Sequence, residues 1–387
     1  MPHTRNRHTM PLLKKKLKFS RIVSIQGPRQ CGKSFLARNL FTRDTPSAKY
    51  ISLDAKTQAA FAEDHPSSFI ESHLPAHPLV IDEAQKAPSL FSEMKLRVDQ
   101  NPAPGQFLIL GSTEFSKEVR VREALTGRLS RLRLFTFNLR EAQGLSVTAP
   151  VSRRALMLHL KAGGFPGIFA VRDSAEKEQL LQDWIQVTVQ RDLQQFPKVK
   201  LDADLALEVL REIALADEPT IYSISSRLKR TPRVISNIIR YLSILFTVHR
   251  LDPHPLGTGK PRYYLCDSGL VSWFGGSFER QLETWALHEF LSQASYSADV
   301  KSRLYYYRNS KGSIVHFLRD TGDPKQPLTA IKIFPNESVD TRELEILKAL
   351  RLKARSLGLE LKPKVLGHES MTLKKEGIQI VPWESIV

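Results

Sequence analysis

Cysteine is scarce. The 387 residues hold two, Cys31 and Cys266, too few for a disulfide-stapled scaffold. Cys31 also sits inside a glycine-rich loop that a bridge would tether, so both read as thiols of a reducing, cytoplasmic compartment. Long apolar runs are missing as well. No stretch approaches the roughly 20 residues that cross a bilayer. The best one, Ile235 to Leu251, is broken by Arg240, Thr247, His249 and Arg250, which leaves no membrane among the expected partners. The first twenty residues have no apolar core of the kind a secretion signal needs; a basic presequence and a disordered basic arm both fit them. Internal repeats and low-complexity tracts are absent.

Acidic residues are outnumbered, 40 against 57 basic, for a formal net charge of +17. The excess is clustered. Residues 1–20 carry Arg5, Arg7, Lys14, Lys15, Lys16 and Lys18 with no acid, and residues 225–262 carry eight cations against Asp252 alone. Concentrated positive charge attracts polyanions such as nucleic acid, although a solvated basic face needs no partner. The chain is too long for one comfortable core, so two or three domains are expected.

Local patterns then order the first third. Arg21 to Gln26 is a β-branched run, followed at once by Gly27 and a helical pattern through Leu40. Lys49 to Leu53, Pro78 to Asp82, Gln106 to Leu110 and Leu132 to Phe137 read as further strands with helical material between them. Strands alternating with helices imply a parallel sheet covered on both faces. From Val151 the pattern turns helical, punctuated by Gly163 to Gly167. Leu205 to Ala216, Ile221 to Leu228 and Pro232 to Phe246 are three helical segments, and a strand follows at Arg262 to Cys266. Beyond a helix at Leu282 to Ser292, strands are expected at Arg303 to Arg308, Ser313 to Arg319, Leu328 to Phe334 and Ile378 to Val381, with a helix from Thr341 to Leu357.

Gly27, Pro28, Arg29, Gln30, Cys31, Gly32, Lys33 and Ser34, with Phe35 next, satisfy G-x-x-x-x-G-K-[ST]. Such a loop wraps phosphates with backbone N–H groups, which requires glycine where a Cβ would intrude. Lys33 would meet the β- and γ-phosphates, and the Ser34 hydroxyl would meet Mg2+. Leu79 to Glu83 is an apolar strand ending in two carboxylates. Asp82 is assigned to the metal and Glu83 to the general base that orients water. After Gln106 to Leu110 come Ser112 and Thr113, placed either to sense the γ-phosphate or to cap the next helix. Arg128 is either an arginine finger offered to a neighbouring subunit of a homo-oligomer or a plain surface arginine.

The ordered series GPRQCGKS, VIDEAQKAP, LILGSTEF, LTGRLSRLRL, FNLREAQG, GGFPG, WIQVTVQRDL, RYYLCDSGL and YYYR resembles the AAA-type (AAA+) P-loop ATPases of bacteria and archaea that carry a C-terminal nuclease-like domain of unknown function. The resemblance covers nearly everything after residue 20. It implies an α/β fold: a P-loop NTPase parallel sheet (21–145) behind a basic arm (1–20), a helical lid (146–200), a winged-helix segment (201–270) and a degenerate restriction-endonuclease-like α/β domain (271–387). ATP rather than another triphosphate also follows from the resemblance.

Three helices with a tight turn at Lys229 to Pro232 suit a helix-turn-helix. Arg227, Lys229, Arg230, Arg233 and Arg240 would lie on or beside its recognition helix and touch duplex DNA through phosphates; packing or oligomerisation is the other use of such a segment. At its end the chain departs from the family. His316 stands where relatives carry an aspartate, and Thr329 to Ile333 lacks the expected glutamate. Two-carboxylate metal chemistry is therefore not expected, Glu283 and Glu289 notwithstanding. The expected activity is Mg-ATP hydrolysis coupled to a conformational change on DNA or a DNA-bound partner. The alternatives are a nucleotide-gated DNA-binding regulator and, last, an ATP-dependent nuclease.

Overall fold

The computed structural model describes residues 4–115, 125–196, 201–297, 302–323, 325–336, 339 and 341–386. The chain divides into two compact units. The first comprises residues 1–136 with two short returns, Ile244–Thr247 and Ser295–Ala298; the second is the remainder.

Unit 1 is built from α1 (Met10–Leu17), β1 (Ile22–Gln26), a helix α2 that opens at Lys33–Phe35 and widens into a π-type turn over Leu36–Phe41, β2 (Lys49–Ser52), α3 (Lys56–Asp64), α4 (Pro66–Glu71), β3 (Leu79–Asp82), α5 (Ser89–Gln100), β4 (Phe107–Gly111) and β5 (Leu129–Arg133). The strands form one sheet in the order β2-β3-β4-β1-β5, parallel throughout. All residues of β1, β3 and β4 are buried, the signature of strands covered on both faces. Alternate side chains go to opposite cores. Val23, Ile25, Val80, Leu108 and Leu110 meet Leu13 of α1 and Leu36, Ala37 and Phe41 of α2. Ile22, Leu79, Ile81, Phe107 and Ile109 meet Ala62, Phe69, Leu90, Phe91 and Met94 of α3 to α5.

Two expectations are corrected here. Residues 4–20 are not a disordered arm, because α1 buries Leu13 completely and Arg7 is only 4% exposed. The fifth strand is Leu129–Arg133 rather than Leu132 to Phe137. It lies at the sheet edge, where one side faces solvent and Ser130 and Arg131 are tolerated. The apolar run Leu134 to Phe137 instead passes under the glycine loop, the Leu134 N–H donating to the Gln26 carbonyl.

Unit 2 contains α6 (Leu139–Gln143), α7 (Arg153–Ala162), α8 (Ser174–Gln186), α9 (Ala203–Leu215), α10 (Ile221–Arg227), α11 (Pro232–Ile244), the antiparallel pair β6 (Val248–Leu251) and β7 (Arg262–Leu265), α12 (Ser268–Trp273) and α13 (Phe278–Tyr296). It continues with β8 (Arg303–Arg308), β9 (Ile314–Asp320), β10 (Leu328–Ile333), α14 (Thr341–Ser356), β11 (Leu361–Gly367), β12 (Leu373–Lys375) and β13 (Ile378–Pro382). The last six strands make a mixed sheet, β12-β13-β11-β10-β9-β8. One of its faces packs on Leu344, Leu347, Leu350 and Ala354 of α14. Two family-like motifs meet inside this unit. Asp267 accepts the Gly164 N–H at 2.9 Å, and a Cβ on Gly163 would fall 1.9 Å from its Oδ1.

β11 and β12 are elements that the pattern did not suggest: Pro363 reads as a strand breaker in the first, and the second is three exposed residues. β13 pairs with β11 only from Lys364 onward, so the proline sits where β11 has a neighbour on one side alone.

Candidate functional site

Parallel register brings the carboxyl ends of β1, β3 and β4 to one edge of the unit 1 sheet. Gln26 is opposite Gly111, and Ile81, one residue before Asp82, is opposite Ile109. The loop from Gly27 to Ser34 leaves this edge. Gln30 (φ 60°) and Gly32 (φ 95°) take left-handed conformations, and a Cβ on Gly27 would lie 2.0 Å from the Leu134 carbonyl oxygen. The tight approach therefore needs glycine at Gly27. Lys33 is 5% exposed, and its Nζ donates to the Gly27 and Pro28 carbonyls at 2.9 and 2.8 Å. Pro28 and Cys31 are buried, Arg29 is half-buried, and Ser34 and Phe35 face outward.

Arg7, which the sequence reading passed over, fixes the loop from behind. Its Nη1 donates to the Cys31 carbonyl at 2.8 Å and its Nη2 to the Phe135 carbonyl at 2.7 Å. The same Nη2 reaches the Tyr296 hydroxyl, which also accepts the Phe135 N–H. No local pattern announces such a residue, since its partners lie 24, 128 and 289 positions away.

Asp82 is 1% exposed. Its Oδ1 accepts the Glu83 N–H at 2.9 Å, and its Oδ2 accepts the Tyr50 hydroxyl at 2.5 Å. Burial and then the Asp82 carboxylate push the Tyr50 phenol well above its usual range. Glu83 takes a left-handed backbone (φ 54°), an unusual posture for a residue with a Cβ that turns its carboxylate away from the strand axis. Its Oε2 accepts from Gln85 Nε2 and from Ser112 Oγ at 3.4 Å. Ser112 is therefore tied to Glu83. Thr113 accepts Gln26 Nε2 through its carbonyl, while its Oγ1 and Gln85 Oε1 are buried with no hydrogen-bond partner among the described residues.

One candidate stands apart. Arg128 directly precedes β5, whose first residue is opposite Ile22 at the amino end of β1. That is the edge away from the loop. Its guanidinium grips Asp99 at 2.5 and 2.8 Å, so it contributes nothing to the loop-bearing edge of its own sheet.

The basic candidates of residues 225–262 fall on the surface of unit 2. Arg227 pairs with Glu212 at 3.3 Å; Lys229 and Arg230 are exposed in the turn. On α11, Ile235, Ile238, Ile239 and Leu242 are buried, while Arg233, Ser236 and Arg240 are exposed and Asn237 is half-buried. This i, i+3, i+4, i+7 spacing places Arg233, Ser236, Asn237 and Arg240 on one polar face.

Farther along, Glu279, Glu283 and His316 bring ligand-type atoms within 4.8 Å of one another. These groups are hydrogen-bonded to one another and to their neighbours. The Ile333 N–H donates to His316 Nδ1 at 3.0 Å, so the ring proton sits on Nε2, which donates to Glu283 Oε1 at 3.1 Å. That nitrogen has no lone pair to give. Glu283 Oε2 takes Arg280 Nη1 at 2.6 Å. Burial opposes ionisation of this carboxyl, yet Arg262, Arg280 and His316 outweigh it and hold its pKa far below the carboxylate range. Among the described residues, the histidine in the aspartate's place closes a buried ionic network.

Residues 19–143 match the family model of an AAA domain, and residues 153–281 match a domain of unknown function, DUF8612. Among curated proteins, the chain is similar to the uncharacterized proteins Rv2008c of Mycobacterium tuberculosis and Mb2031c of Mycobacterium bovis. Each is 27% identical over 313 residues, covering 77% of this chain and 67% of the relative. Among solved structures, it overlaps a Signal Transduction ATPase with Numerous Domains from Pyrococcus horikoshii, with 14% identity and a TM-score of 0.29. That overlap covers 75% of this chain but only 45% of the other. It also overlaps AMPPCP-bound DnaA from Aquifex aeolicus, with 13% identity and a TM-score of 0.30 over 61% and 85% of the two chains.

Proposed function

With an AAA-type P-loop ATPase domain at residues 19–143 as the premise, we propose that this chain binds Mg-ATP at Gly27 to Ser34 and hydrolyses it. The observation that carries the reading is the shared sheet edge, where the loop, Asp82, Glu83 and Thr113 leave adjacent parallel strands. Loop amides and Lys33 hold the phosphates. The oxygen donors Ser34 and Asp82 suit Mg2+, a hard cation, and the unpartnered Thr113 Oγ1 and Gln85 Oε1 suit a polar group arriving there. When bound, the metal neutralises charge on the β- and γ-phosphates. Glu83, turned off the strand and steadied by Ser112, accepts the proton of the attacking water. Tyr50 holds Asp82 in place through its hydroxyl.

Phosphate release tests this. The wild type should turn over, while Lys33→Ala should lose binding and Glu83→Gln should bind nucleotide with turnover reduced about 10²-fold or more. Equal background rates in all three would remove the hydrolysis claim and leave binding to be judged separately.

The three helices α9 to α11 with the β6–β7 ribbon are the parts of a winged helix, and the polar face of α11 supports duplex contact through Arg233 and Arg240, flanked by Arg227, Lys229 and Arg230. ATP would then bias how this segment meets DNA. Phosphodiester cleavage has no place in the reading, because His316 Nε2 is committed to Glu283. Arg128 enters only if a second subunit presents it in trans.

A further inference from the structure

A cleft of about 640 Å³ opens in unit 2 beside the edge of the six-stranded sheet, lined by Arg351 and Arg355 of α14, Lys362 and Lys364 of β11, and Lys374 of β12. Arg351 and Arg355 stand one helical turn apart. Lys364, Gln379 and Lys374 are in register across β11, β13 and β12, and Lys362 is two residues before Lys364 on the same face. Four of these cations are exposed and Lys364 is half-buried. None of the five has an ion-pair or hydrogen-bond partner among the described residues. Glu360 is the single acid in the lining, and nearby Glu376 is spent on Lys348 at 2.6 Å.

Ordinary surfaces intersperse the two signs, because like charges held together repel. Here five of one sign line one cleft with a single acid among them, and a polyanion would supply the missing neutralisation. No aromatic side chain lines the cleft. It therefore lacks the stacking platforms that grip unpaired bases. The three lysines spread over roughly 10 Å, two strand spacings. A duplex, with one charge per ~1.7 Å of axis, meets such a layout with several phosphates at once; an extended acidic peptide, with at most one carboxylate per ~3.3 Å of chain, meets it with fewer.

We propose that this cleft binds the phosphodiester backbone of nucleic acid without reading its sequence, as a surface separate from α11 and not dependent on the α11 reading. The test titrates full-length protein into a fluorescein-labelled duplex of arbitrary sequence at several salt concentrations. Wild type is compared with Lys362→Ala/Lys364→Ala/Lys374→Ala, with the equally charged control Lys15→Ala/Lys18→Ala/Lys49→Ala, and with Arg233→Ala/Arg240→Ala. The cleft variant should flatten the slope of log K against log[salt] by about two to three, and the control should leave it within about one. An equal fall in cleft variant and control would overturn the proposal, whatever Arg233→Ala/Arg240→Ala does; loss with that α11 pair alone would leave DNA binding to α11 and sink the cleft. Acylation of wild-type lysines gives a reading free of folding artefacts. Duplex should protect Lys362, Lys364 and Lys374, and protection by poly-glutamate but not by duplex would transfer the site to an acidic polypeptide and refute the assignment.

Discussion

Tyr50 shows what one hydroxyl contributes at the phosphate edge. A hydrogen bond to an ionised carboxylate is worth about 1.5–3 kcal/mol, and here it fixes the oxygen opposite the one held by the Glu83 N–H. Tyr50→Phe should therefore weaken nucleotide binding about tenfold in the presence of Mg2+ and leave binding without the metal unchanged. Calorimetric titration with and without Mg2+ checks this, and an equal loss in both would mean that Tyr50 merely packs. Gly27 to Ser34 and Asp82–Glu83 were legible in the sequence because each is a contiguous motif whose chemistry depends on neighbours in the chain. Tyr50 and Arg7 were not. Tyr50 meets Asp82 only because β2 lies beside β3, and Arg7 meets Cys31 only because α1 packs under the loop; strand order and packing are long-range facts.

At the scale of elements, α13 and α7 each carry a buried titrating group. Burial pushes Glu289 up to about 7 against two N–H donors, from Leu139 and Trp285, and burial pulls His159 down to about 4. The signs oppose. Glu289 contributes stability that is full below about 4.5 and is lost as pH rises toward 7. His159 resists a proton that the unfolded chain accepts below 6.5, so its burden grows as pH falls toward 4. Between those limits the wild type should respond weakly. In Glu289→Gln the His159 effect stands alone, and stability should rise with pH from about 4 to 6.5. The gap between wild type and variant should shift by on the order of 3 kcal/mol between pH 4.5 and 8. All four tryptophans, Trp184, Trp273, Trp285 and Trp383, belong to unit 2, so urea melts followed by their fluorescence isolate it. Curves that stay parallel across pH would refute the assignment. The helices here were readable from their spacing. β11 was not, since Pro363 hides a strand whose missing neighbour only the sheet reveals.

At the scale of the whole molecule, the alternation of strands and helices announced a parallel sheet, and unit 1 bears this out. The sequence could not announce that the unit is completed from elsewhere. Ile244 accepts the Glu114 N–H at 3.0 Å, Phe246 lies 5.0 Å from the Arg133 guanidinium, and the Tyr296 hydroxyl receives Arg7 and the Phe135 N–H. No described helix is long and apolar enough to cross a membrane, and these returns are the late sequence's contribution to unit 1. A shortened chain of residues 1–143 should accordingly melt earlier than full-length protein, bind a hydrophobic dye and lose much of its nucleotide affinity, each orphaned buried donor costing about 1–3 kcal/mol. A cooperative melt with undiminished affinity would show that the returns are dispensable. If they are not, the ATP-binding half cannot be severed by a single cut. A gene fusion or deletion ending just past residue 143 would then yield a crippled fragment, and borrowing this module for another protein would mean carrying along sequence from more than one hundred and fifty residues downstream.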